Sequence, residues 1–95
     1  MRQQEVSVTE LKRMVREGPV APLGVGATKE PHRRAGEHGQ EYSETHTMYF
    51  AKTSNMNTAE NQLLAECAER GACSFNVHRH SNMSAAPGYI YAIFP

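Results

Sequence analysis

The stretch THTMYFAKTSNMNTAENQLLAECAERG, Thr45 to Gly71, changes its apolar period midway, and that change decides the fold class. In its first part Met48 and Phe50 fall on one face and Tyr49 and Ala51 on the other, the pattern of a strand buried on both sides. In its second part Leu63, Leu64, Cys67 and Ala68 recur at helical spacing, with Glu60, Glu66, Glu69 and Arg70 outward. Asn57 with Glu60 three residues on predicts the N-cap, because a side-chain oxygen there accepts from an otherwise unpaired N–H. Glu66 and Arg70 form an i,i+4 pair, and Gly71 supplies the stop.

Working outward, CSFNVHRH (Cys73 to His80) alternates Phe75 and Val77 with polar residues and predicts a half-buried strand. Pro87-Gly88 then opens GYIYAIF, apolar on both faces and suited to a central strand. Upstream, Ser7-Val8-Thr9-Glu10 fits a capping box, and Val6 and Leu11 sit at the positions of a hydrophobic staple. Val8, Leu11, Met14 and Val15 give one stripe, so a helix is expected over Val8 to Glu17, ended by Gly18-Pro19 with glycine in the left-handed region. Residues 19–44 hold three of the five prolines and read as a long loop. Val20, Leu23 and Val25 can pin its first part as a short edge strand, while KEPHRRAGEHGQE is expected to be solvated and mobile.

These elements predict a single domain over 1–95 of α+β class: a small mixed sheet of three to four strands with two helices packed on it. One β-α-β crossover is expected, the strand near Thr45 leading through the helix to a parallel strand near Cys73. The loop from Ser81 to Gly88 would then return the chain antiparallel.

Composition narrows function by exclusion. Ten basic and ten acidic residues give a net charge of +0, which argues against general nucleic-acid binding, since that rests on clustered Lys and Arg. No apolar run approaches the roughly 20 residues that span a bilayer, and MRQQEVSVTE has no apolar signal-peptide core. An intracellular, cytoplasmic chain with no membrane association is therefore expected. Two cysteines are too few for a disulfide scaffold, and a Cys67–Cys73 bridge is disfavoured in a reducing compartment.

One pattern repeats: KTSNMNTAE at Lys52 to Glu60 and RHSNMSAAP at Arg79 to Pro87. Parallel neighbouring strands would set both copies on one sheet edge, where open α/β sheets bind ligands and a helix N-terminus favours anions. Lys52, Ser54, Asn55, Asn57, Thr58, His78, Arg79, His80, Ser81 and Asn82 would then line a phosphate or carboxylate pocket. Ordinary capping and turn chemistry uses the same residue types, and is the plainer account. No metal or other cofactor is expected; Cys67, Cys73, His78 and His80 would be the alternative metal set, though C-x5-C with H-x-H departs from usual zinc spacing. GVGATK (Gly24 to Lys29) lacks the spacing of a phosphate-binding P-loop.

YFAKTSN, Tyr49 to Asn55, faintly resembles the Tyr-Ile-Gly-x-Thr-x-Asn strand of GIY-YIG nucleases. Only Tyr49, Thr53 and Asn55 match, Ala51 replaces the glycine, and Ala59-Glu60 stand where that family places its catalytic arginine. The resemblance implies at most an inactive nuclease. The expectation is a small soluble non-catalytic interaction domain, with a protein partner or a second copy of itself docked on a sheet edge or on the loop after Pro19. YIYAIF would pair with a second subunit if it lay at an edge. A small enzyme or ligand-binding protein using the anion pocket is the alternative.

Overall fold

The structure, a computed structural model, describes residues 1–38, 44–71 and 85–95. In chain order its elements are β1 (Arg2–Glu5), α1 (Val8–Glu17), β2 (Gly24–Thr28), α2 (Pro31–His38), β3 (Thr47–Thr53), α3 (Met56–Arg70) and β4 (Gly88–Phe94). The strands form one mixed sheet in the order β1-β3-β4-β2. The α+β class therefore stands, with three helices rather than two on a four-stranded sheet. The parallel pair is β1 with β3, and β4 runs antiparallel to both β3 and β2. The strand expected over Cys73 to His80 lies outside the described residues.

Both aromatic-rich strands are buried on two faces, as their alternation requires. On one face Ala51, Ile90, Ala92 and Phe94 pack with Leu11, Val15, Leu63, Leu64 and Cys67 of α1 and α3. On the other, Met48, Phe50, Tyr91 and Ile93 pack with Ala35 of α2. GYIYAIF lies between β3 and β2, so it is a central strand and presents no edge to a second subunit.

Helix α1 has the predicted bounds, and Ser7 Oγ accepts from the Glu10 N–H at 3.1 Å. Its stop works differently from the expectation. Gly18 has φ −59°, not a left-handed value. Glycine is needed because a Cβ there would lie 2.4 Å from the Met14 carbonyl oxygen. Gly71, by contrast, ends α3 in the left-handed region at φ 78°. The N-cap of α3 is Asn55, two residues before the predicted Asn57. Asn55 Oδ1 accepts from the Thr58 N–H at 3.0 Å, Thr53 Oγ1 accepts from the Asn55 N–H at 3.2 Å, and Met56 is drawn into the core at 1% exposure. Burial of Met56 thus starts the helix earlier than the local code implied.

Arg70 does not pair with Glu66. Its guanidinium donates to the carbonyls of Val15 at 3.1 Å and Gly18 at 2.5 Å, satisfying acceptors that the end of α1 leaves open. Glu66 instead meets Arg16 at 3.5 Å. Cys67 is fully buried and disulfide-bonded, against the expectation from compartment; Cys73 lies outside the described residues.

The largest correction concerns residues 19–44. Their first part forms β2, an edge strand of the described sheet as expected, but Pro31–His38 is a helix rather than loop. Thr28 Oγ1 accepts from the Glu30 N–H at 3.0 Å, and Pro31 takes the first helical position, where its missing N–H costs nothing. Among the described side chains of α2 only Pro31 and Ala35 are buried, too few to show a periodicity. Among the described residues no helix is long and apolar enough to cross a membrane.

Gly26 lies opposite Tyr91 across the β2–β4 ladder, and a Cβ at Gly26 would sit 2.5 Å from the Tyr91 hydroxyl oxygen. Gly26→Ala is therefore expected to lower unfolding free energy by about 1–3 kcal/mol, the usual range for overpacking. Urea denaturation of the two proteins measures this; an unchanged midpoint would mean that the Tyr91 ring does not lie over Gly26.

Candidate functional site

Strands β1, β2 and β3 all point the same way, because β4 is antiparallel to β2 and β3 and β1 is parallel to β3. Each is followed by a helix, so the starts of α1, α2 and α3 lie at the same end of the sheet. This is the end at which open sheets with helical connections place ligands. An open groove of about 440 Å³ lies there, with Thr28 of β2 and Met56 of α3 at its floor and Lys29, Glu30, Arg33, Arg34 and Glu37 around it.

The charged rim comes from one short helix. Residues three apart are neighbours on a helix surface, and that spacing pairs Arg33 with Glu30 at 2.9 Å and Arg34 with Glu37 at 3.4 Å. The Arg33–Glu30 side chains are largely exposed and those of Arg34 and Glu37 about half so, and each pair is therefore worth little to stability. Lys29 makes no ion pair among the described residues. Arg34 has a second commitment: its Nε donates to the Tyr91 hydroxyl at 3.2 Å. Tyr91 is only 4% exposed, and burial raises its pKa, with the Arg34 hydrogen bond and charge pulling the other way. The phenol is therefore a neutral anchor for the guanidinium, not a nucleophile at neutral pH.

Lys52 and Ser54 are exposed at the end of β3. Asn55 is committed to capping, and Asn57 and Thr58 lie in the first turn of α3. His78, Arg79, His80, Ser81 and Asn82 lie outside the described residues. The tail of the second echo does reach the first, since the Met56 N–H donates to the Ala86 carbonyl at 3.0 Å. The cause is antiparallel pairing of β3 with β4, which sets Thr53 opposite Gly88, and not a parallel crossover. Of the alternative metal set only Cys67 is described; among the described residues no group of three or more His, Cys, Asp or Glu could hold a metal.

Lys29, Arg33, Arg34 and Tyr91 were missed by the sequence reading. A signal was present: Thr28-Lys29-Glu30-Pro31 is a helix start, and Glu30/Arg33 and Arg34/Glu37 have i,i+3 spacing. No family model matches the chain, and no curated protein or solved structure is significantly similar to it.

The pKa of Tyr91 is raised on folding, so its contribution to stability is whole below the unfolded value of about 10 and falls as pH rises toward the folded value. Tyr91→Phe is expected to flatten the alkaline limb of a Tm-against-pH curve. It should cost about 0.5–1.5 kcal/mol at neutral pH through the lost hydrogen bond to Arg34. Parallel alkaline limbs for the two proteins would contradict the burial of a protonated phenol.

Proposed function

We propose that this chain is a small non-catalytic binding domain whose partner is a protein, a segment of which lodges in the groove between β2, α2 and the start of α3. The observation that carries the reading is the rim itself. An exposed and a half-exposed Arg–Glu pair, with a lysine unpaired among the described residues, stand over a floor of Thr28 and Met56. Small-molecule sites are commonly enclosed and mostly apolar, whereas an open groove with both signs of charge suits side chains of a partner that exchange with the intramolecular pairs. Charge patterning of this kind sets orientation and selectivity more than raw affinity.

A second reading, a site for a phosphate or carboxylate group, is favoured by Lys29, which lines the groove two residues before α2 begins. The two separate in one comparison. Double reversal of Lys29 and Arg33 to Glu is expected to abolish co-purification of the protein partner with little change in thermal stability, since these side chains are exposed. Titration of the unmodified chain with phosphate and small carboxylates, followed by amide shifts, addresses the second reading. Saturable shifts confined to Lys29–Arg34 would favour it over a protein partner. An unaltered set of co-purifying proteins after the double reversal would remove the groove from the first reading.

A further inference from the structure

We propose that β1 pairs with β1 of a second copy of this chain across a two-fold axis, joining the two sheets into one. This is independent of the groove, which lies toward the other edge of the sheet beside β2.

Among the described residues β1 is an edge strand, with all four of its residues exposed. The Arg2 N–H donates to the His46 carbonyl at 2.9 Å, and the Val6 N–H to the Phe50 carbonyl at 2.8 Å. Backbone groups alternate sides along a strand, so Arg2, Gln4 and Val6 face β3, while the N–H and C=O of Gln3 and Glu5 face outward. On that outer side, among the described residues, the Glu5 carbonyl meets only the Gln4 side-chain amide, in a long bond of 3.4 Å. An exposed row of this kind is a template for another strand.

Geometry then limits the register. In an antiparallel pair, outward residues must oppose outward residues, so Gln3 and Glu5 can only face Gln3 or Glu5, or a neighbour of the same parity. Setting Glu5 opposite Glu5 of the partner subunit places two carboxylates together, which is destabilising. Setting Gln3 opposite Gln3 of the partner subunit leaves each carboxylate facing Met1 of the partner subunit. Setting Gln3 opposite Glu5 of the partner subunit exchanges N–H···O bonds at both outward residues, and the two-fold axis repeats them.

The side chains agree with that last register. Gln3 and Glu5 pair in β1–β3 with Met48 and Phe50, on the face covered by α2. There the Gln3 Oε1 accepts from His32, which leaves the Gln3 amide N–H groups free to donate to the carboxylate of Glu5 of the partner subunit. Gln4 meets its own copy at the axis on the other face, and Arg2 lies opposite Val6 of the partner subunit, so no like charges oppose. The contact is small and polar, so the dimer is concentration-dependent.

Sedimentation velocity from about 10 μM to about 1 mM, a range matched to a weak interface, is expected to show monomer passing to dimer. Gln3→Pro removes only an outward N–H at a position where an edge strand tolerates proline. It should weaken the dimer by about tenfold or more. Gln3→Lys keeps the backbone donor and opposes an ammonium to each Glu5 carboxylate, and should tighten the dimer about 2–10-fold at low salt. A chain that stays monomeric throughout overturns the proposal, as does a dimer that Gln3→Pro leaves intact. If Gln3→Pro fails to fold by circular dichroism, Gln3→Lys decides alone, and a dimer it does not tighten overturns the register.

Discussion

Everything in this chain is arranged around a strand with no solvated face. Ile90, Ala92 and Phe94 of β4 point to α1 and α3, while Tyr91 and Ile93 point to α2. A strand buried on both sides needs hydrogen-bonded neighbours on both edges, and β3 and β2 supply them in antiparallel register. Because β4 occupies the centre, β1 and β2 are pushed to the two edges. One edge carries the groove and the other a polar free strand, and both features are consequences of where YIYAIF had to go.

The tyrosine in that strand couples the core to the groove. Tyr91 is too large to lie beside a residue with a Cβ, so β2 provides Gly26 opposite it. Its hydroxyl, buried and protonated, receives Arg34 and so holds one wall of the groove against the sheet. A helix of eight residues that buries so little, Pro31 and Ala35 among its described side chains, would be marginal by itself, since helices of this length draw their stability from tertiary contacts. α2 is held by Thr28 and Glu30 at its start, by Ala35 on the sheet, and by Arg34 on Tyr91.

Much of the candidate site was illegible for the same reason. Arg33 and Arg34 acquire meaning only once α2 folds, and α2 folds against residues more than fifty positions away in sequence. The echo of Ser-Asn-Met shows how far local motifs are from topology. It suggested a shared sheet edge, and the described parts do meet through Met56 and Ala86, but through antiparallel pairing that no motif in either copy announces.

By itself the sequence determined what depends on neighbours within about four residues. It carried the bounds of α1, the stop at Gly71, and the two-sided burial of β3 and β4, because caps and apolar periods are local. Tertiary structure decided the strand order, the polar edge strand β1, the folding of α2, and the choice of Asn55 over Asn57 as cap. Each of those turns on a contact between distant segments: Phe50 with Val6, Tyr91 with Arg34, Met56 with Ala86. Local preferences of a few tenths of a kcal/mol yield where a buried side chain or a backbone pair is worth about 1 kcal/mol or more.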